Sequence, residues 1–415
     1  MRILYICPDL GIPVLGRKGA SVHVRSLSNA FARAGHSVVL AAPILNKSPW
    51  DEPAGLAVPL FHLPPAPDET VHLSLEAFNE LLGVSNSIPG EIRRILYNEE
   101  MLKKLKRRFM HHLPDLIYER ASLYSTAGIM LGLELNRPVI IELNAPLAIE
   151  QSKYRATGFG ELAAQAERWS LTRADAVITV SNQLRDYVIS IGVDPGKVYV
   201  FPNGVDTELF RPAPPDPGIR ERWGLGNNPV IGFTGGLRPW HGVDALPELL
   251  ERLARKYRCI QMIIVGDGPL RSKLEENLRA LDLLKDTVFT GQLPHEDVAG
   301  LVRQFDVALA PYPRLDHDFY FSPLKIFEYM ACGRTVVAAA LGQISEIVRN
   351  NETGVLYPAG DMDALFEACD RLLADSALRE RIGQTAMKEI HDKFTWNHNA
   401  TRTIDLARSV IEKRG

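Results

Sequence analysis

The chain has 415 residues, 46% of them hydrophobic and 23% charged, with a net charge of −3. That describes about two or three globular domains and gives no sign of a nucleic-acid partner, since there is neither a global basic excess nor a recognition motif. Four scattered cysteines (Cys7, Cys259, Cys332, Cys369) form no C-x-x-C pair, which argues against a zinc knuckle or a redox dithiol.

In chain order, short apolar runs alternate with longer amphipathic stretches. The opening MRILYICPD predicts a buried strand at 3–7 and breaks too early for a signal peptide. No run of 18 apolar residues follows, so the expectation is a cytoplasmic protein without a spanning helix. A helix is predicted at 20–35, strands at 38–42, 116–118, 139–143, 176–180 and 198–201, and helices at 161–173 and 182–191. Residues 92–113 predict a helix with Ile92, Ile95, Leu102, Leu105 and Phe109 near one face, among seven Lys or Arg and two Glu. This helix fits either an anionic membrane surface near a lipid-linked acceptor or a solvated face, and the solvated face is preferred.

The proline-rich stretch NGVDTELFRPAPPDPG at 203–218 reads as a linker. The alternation then resumes, with strands predicted at 230–233, 261–265, 288–290, 307–310 and 336–340 and helices at 242–255 and 269–282. The expected architecture is α/β: two Rossmann-like, doubly wound domains facing a central cleft. The first spans 1–206, joined by a C-terminal helix at 396–415, and the second spans 207–395.

Three glycine-bearing loops sit at predicted strand ends. PDLGIPVLGRKGAS carries Gly11, Gly16 and Gly19 with Arg17 and Lys18. FTGGLRPWHG carries Gly235, Gly236, Arg238 and His241, and GDGP carries Gly266. None is a G-x-G-x-x-G fingerprint, so each is either an anion-approaching loop or a plain turn. YFSPLKIFEYMACG is more specific. Ser322 suits an N-cap, Pro323 the first helical position and Gly333 a left-handed stop. Between them Lys325 and Glu328 share a face. A helix start with a lysine can hold phosphate, and a carboxylate one turn on can hold a sugar diol. The plainer alternative is an exposed Lys–Glu pair worth ~0.2–0.5 kcal/mol.

Taken together and in order, GRKGASVHV, RADAVITVSNQL, VFPNGVDTELF, GLRPWHGVD, IVGDGP, FTGQLPHEDV and SPLKIFEYMACG resemble the retaining nucleotide-sugar glycosyltransferases of family 4, which have the GT-B fold. The resemblance implies a hexosyltransferase-type enzyme of polysaccharide or glycolipid biosynthesis that needs no metal or cofactor. Its donor, a nucleotide diphosphate sugar, is expected on the second domain. Its acceptor, a carbohydrate, lipid-linked or small molecule, is expected on the first. Glu328 falls on the glutamate that holds the ribose, Ser322, Pro323 and Leu324 on the backbone facing the diphosphate and sugar, and Gly19 on the phosphate-facing loop of the first domain. Gly266 lies in a turn near the donor, and Leu293 ends the segment whose backbone reads the base. Gly236 occupies the family's usual arginine position, Arg238 lies two residues on, and His241 stands where a lysine is usual. Arg238, Lys325 and His241 would therefore share the diphosphate charge. Tyr320 stands in place of a carboxylate that contacts the transferred sugar, with Asp316 and Asp318 close upstream. In IELNAP, where many members carry a histidine, Glu142 is either an acid–base group or a buried carboxylate paired with Arg120. Two rival readings remain: a nucleotide-sugar binding protein without transfer, and a Rossmann oxidoreductase.

Overall fold

The computed structural model describes residues 1–46, 55–66, 70–154 and 157–414. The chain divides into two compact units, Met1–Pro202 with Asn399–Gly415, and Asn203–His398.

Among the described residues, the first unit is built on seven parallel strands: β1 Arg2–Ile6, β2 Ser37–Ala42, β3 Leu60–His62, β4 Leu116–Arg120, β5 Val139–Leu143, β6 Ala176–Thr179 and β7 Val198–Val200. Their order is β3-β2-β1-β4-β5-β6-β7. The second unit has six parallel strands: β8 Val230–Thr234, β9 Gln261–Val265, β10 Thr287–Gly291, β11 Val307–Ala310, β12 Val336–Ala339 and β13 Val355–Tyr357, in the order β10-β9-β8-β11-β12-β13. The central strands read as continuous apolar runs because helices cover both faces; β5, β8, β9, β11 and β12 are buried along their whole length. Strand order reverses at β1/β4 and at β8/β11. Loops at the carboxyl ends of these strands are where open α/β sheets bind ligands.

The predicted strands all form. β3 and β13 were not predicted; each is three residues long, too short to show a period. The helix expected at 242–255 is broken. Gly242 is left-handed (φ 70°) and is followed by one tight turn, Val243–Ala245, before the helix Leu246–Ala254 begins. A Cβ at Gly242 would lie 1.6 Å from the Pro311 carbonyl oxygen, so the loop after β11 presses on the chain here. The last helix, Trp396–Arg414, contributes its residues from Asn399 onward to the first unit. There the Asn399 side chain donates to the Pro202 carbonyl (2.8 Å), and Arg414 pairs with Asp175 (2.8 Å).

The basic helix runs Ile88–Phe109. Leu105 and Phe109 are buried as the spacing predicted. Tyr97 and Met101 are buried with them, whereas Ile92, Ile95 and Leu102 are half-covered. Three of its lysines are ion-paired: Lys103 with Glu99, Lys104 with Glu100 and Lys106 with Glu134. No helix among the described residues is long and apolar enough to cross a membrane.

Candidate active site

The helix of the SPLKIFEYMACG segment is Leu324–Ala331, and its cap is Pro323, not Ser322. Pro323 is extended (φ −75°, ψ 111°), which moves Ser322 one residue outside the helix. Its side chain is also engaged elsewhere: Ser322 Oγ accepts from the Asn203 N–H (2.9 Å), and the Ser322 carbonyl accepts from the Asn203 side chain (2.7 Å). The two residues are 119 positions apart, so the local sequence could not show this competition. At the other end Gly333 takes the predicted left-handed turn (φ 68°).

Lys325 is not half of an exposed pair. It is buried, and among the described residues its Nζ has no hydrogen-bond partner. The ammonium lies over two aromatic faces, 4.0 Å from the Phe233 ring centre and 5.2 Å from that of Tyr312. Burial pulls its pKa down to about 7, against a smaller upward pull from Glu328. Aromatic faces attract a cation but do not replace its lost hydration, so an arriving anion would relieve a standing cost.

Glycines bring the backbone up to this lysine. Gly235, at the end of β8, has φ 134°, and a Cβ there would lie 2.9 Å from Nζ. A Cβ at Gly266 (φ 138°), after β9, would lie 2.1 Å from the Gly235 carbonyl oxygen. The Gly266 N–H donates to the Gly291 carbonyl (3.0 Å) at the end of β10. Three strand ends are thus drawn together beside one ammonium. Gly236 follows, and Leu293, just beyond Gly291, packs half-buried against the core. Leu324, the first residue of the helix, is half-buried.

His241 does not act as the expected cation. Burial first, then the charge of Lys325, lowers its pKa to about 3. Its Nδ1 lies 2.5 Å from the Gly236 carbonyl, which can only accept, so the proton sits on Nδ1. A neutral imidazole here braces the glycine loop. Arg238 is exposed, its guanidinium 5.2 Å from the Trp240 ring centre.

Glu328 is buried and faces a partner not anticipated from the sequence: His295 Nε2 donates to Glu328 Oε1 at 2.8 Å. The His295 ring packs on Phe210, with centres 4.8 Å apart. Tyr320 is buried, stacked on His317 (5.5 Å) and tilted against Phe321 (4.4 Å), while Asp316 and Asp318 are exposed.

In the first unit, Gly19 begins the helix Gly19–Arg33, with Lys18 as its cap. Arg17, Lys18 and Gly19 are exposed, and Lys18 Nζ donates to the Gly11 carbonyl (3.1 Å). The loop before it is pinned from inside by Arg25, whose Nη1 donates to the carbonyls of Val14 (2.7 Å) and Gly16 (2.6 Å). Glu142, on β5, is a buried carboxylate whose close partner is His23 rather than Arg120. His23 Nε2 lies 2.6 Å from its Oε1. Tyr118 donates to Oε2 (2.9 Å) and Asn144 to Oε1 (3.1 Å). Burial alone would raise the Glu142 pKa. His23, then Arg120, and the Tyr118 hydroxyl outweigh burial and hold it at about 2. His23 and Arg25 both sit inside an amphipathic helix, where no distinctive spacing marks them out.

Comparison with known proteins bears on both units. Residues 17–209 match the family described as Glycosyltransferase Family 4, and residues 228–375 match Glycosyl transferases group 1. Alpha-maltose-1-phosphate synthase of Mycolicibacterium smegmatis is 28% identical over 304 residues, covering 68% of this chain and 76% of that protein. A GDP-mannose-dependent alpha-(1-6)-phosphatidylinositol monomannoside mannosyltransferase of the same species is 31% identical over 244 residues, or 58% and 64% of the two chains. Among solved structures, the Anabaena protein HepE in complex with UDP shares the fold with a TM-score of 0.72 over 99% of this chain and 100% of that one, at 20% identity.

Proposed function

Because the chain belongs to the family 4 glycosyltransferases of the GT-B fold, we propose that it transfers a glycosyl group from a nucleoside diphosphate sugar to an acceptor hydroxyl with retention at the anomeric carbon, without a metal. The observation that carries this reading is Lys325: a buried ammonium with no polar partner among the described residues, at the start of a helix that presents a carboxylate one turn later. A diphosphate would supply the missing counter-charge, and Glu328 would accept from the ribose hydroxyls.

In the reaction the bond from the sugar C1 to the phosphate oxygen breaks, and its electron pair leaves with the diphosphate. The acceptor oxygen bonds to C1 on the same face, and its proton passes to the departing phosphate. Lys325, the first-turn N–H groups of its helix and the exposed Arg238 stabilise the growing negative charge. His241 shapes the loop and contributes no charge. Glu142, held at about 2, is a poor proton acceptor near neutral pH, so it serves to order His23 in the acceptor-binding unit. A sugar or glycolipid acceptor is in keeping with the names of the relatives, one an alpha-maltose-1-phosphate synthase and one a phosphatidylinositol monomannoside mannosyltransferase. The donor base is in keeping with either uracil or guanine on the same grounds.

The test is a thermal-shift panel of nucleoside diphosphates and their sugars, followed by nucleotide release from the best donor in the presence of cell extract. Stabilisation by one nucleotide series and release that depends on acceptor support the reading. Stabilisation without any release favours the binding protein without transfer, for which the replacement of a sugar-contacting carboxylate by Tyr320 is the observation. Stabilisation by a nicotinamide dinucleotide instead would overturn both.

A further inference from the structure

Lys325 and Glu328 lie three residues apart on one helix, buried, with opposite charges. Such neighbours ordinarily pair, and two buried opposite charges gain more from pairing than exposed ones. Here no Lys–Glu ion pair forms. Glu328 is instead held by His295, from the helix His295–Val302, at 2.8 Å, and Lys325 is left over the Phe233 and Tyr312 rings. His295 is itself fixed by its packing on Phe210.

Resting on the donor-site reading above, we infer that His295 is a positioning residue that keeps Glu328 away from Lys325, so that the carboxylate stays available to the ribose and the ammonium to the diphosphate. Without the imidazole N–H, Glu328 would be a buried carboxylate short of a donor, and burial makes that state costly. The nearest cation on its own helix is Lys325. The carboxylate would swing to it, and the two charges would cancel at the point where phosphate is to bind. One histidine thereby separates two ligand-binding charges that the helix places within reach of each other.

The inference predicts a pattern that a merely structural histidine would not produce, because removing Glu328 should repair the damage done by removing His295. The probes are inorganic pyrophosphate, and UDP, GDP and ADP with their 2′-deoxy analogues, measured by calorimetry on the full chain. His295→Leu should weaken pyrophosphate binding at least ~tenfold, the scale of one lost charge-assisted contact. Glu328→Ala should leave pyrophosphate binding unchanged or tighter. The double variant His295→Leu/Glu328→Ala should return to within ~threefold of wild type. His295→Gln, whose Nε2 extends about as far from the backbone as that of histidine, should keep both pyrophosphate affinity and the preference for the ribonucleotide over its 2′-deoxy analogue. His295→Leu should lose that preference. Wild-type pyrophosphate affinity in His295→Leu, or a double variant as weak as His295→Leu, overturns the inference. The underlying reading fails separately: if Lys325→Met binds pyrophosphate as wild type does, or if Glu328→Ala keeps the ribonucleotide preference, the donor site itself is misplaced. Melting temperatures of all variants identify any that fail to fold, and His295→Gln carries the test if His295→Leu is one of them.

Discussion

Each unit buries a charge beside the carboxyl ends of its parallel strands, and the two charges are treated in opposite ways. In the first unit Glu142 is surrounded by His23, Tyr118 and Asn144, and its pKa is held at about 2. In the second, Lys325 lies over two aromatic faces with no hydrogen-bond partner for its Nζ among the described residues, and burial outweighs the pull of Glu328 to bring its pKa to about 7. A buried charge whose partners are all protein groups is part of the architecture. One whose partners are missing marks where a ligand completes the structure. The comparison predicts that removing Glu142 harms the fold and that removing Lys325 harms the reaction.

The largest effect expected is on stability, from Glu142→Ala. Removing this buried carboxylate takes the acceptor from the Tyr118 hydroxyl and the negative neighbour from His23 and Arg120, and costs ~3–5 kcal/mol. Chemical denaturation measures it, and a loss under ~1 kcal/mol would remove the contrast between the units. Lys325→Met should do the reverse. Stability should hold or rise, because an uncompensated buried charge is gone, while kcat/KM falls ~10²–10³-fold, the scale of one lost oxyanion-stabilising group. Steady-state kinetics on the identified donor decides this, and wild-type turnover would show that another group carries the phosphate charge.

A smaller effect belongs to Glu328→Ala, which should cost roughly tenfold to hundredfold in nucleoside diphosphate affinity, with melting temperature little changed. The two buried charges also differ in how stability depends on pH. The Lys325 pKa is depressed from 10.5 to about 7, so between those values the unfolded chain binds the proton and the folded chain does not. Stability should rise with pH across that window, and Lys325→Met should flatten the rise. The Glu142 pKa is depressed from 4.5 to about 2, so its stabilisation is present above 4.5 and is lost as pH falls toward 2. Melting curves from pH 3 to 10 for wild type and both variants read the two slopes. The smallest effect expected is none at all: chelation by EDTA should leave donor turnover unchanged, and activity restored only by a divalent ion would contradict the charge assignment to Lys325.

The sheet architecture was legible because buried parallel strands write themselves as branched apolar runs between turn residues. The left-handed stop at Gly333, and the shared face of Lys325 and Glu328, were legible because they depend only on local spacing. What escaped depends on partners distant in sequence. Ser322 lost its capping role to Asn203, and Glu328 takes its hydrogen bond from His295, 33 residues away. His241 looked cationic because burial and a neighbouring lysine leave no mark on sequence. The helix break at Gly242 required the loop at Pro311 to be in place. The strands β3 and β13 were simply too short to show their period.

The most direct test of the central claim is the proton count of nucleoside diphosphate binding, taken from calorimetry at pH 8 in buffers of different ionisation enthalpy. With its pKa at about 7 in the free protein, Lys325 is largely neutral at that pH, and a bound diphosphate should recharge it. Wild type should therefore take up close to one proton per nucleotide bound at this pH, where the diphosphate itself is already fully ionised, and Lys325→Met should take up none. Tight nucleotide binding at pH 8 without proton uptake, or with the same uptake in Lys325→Met, would show that this buried ammonium does not meet the diphosphate.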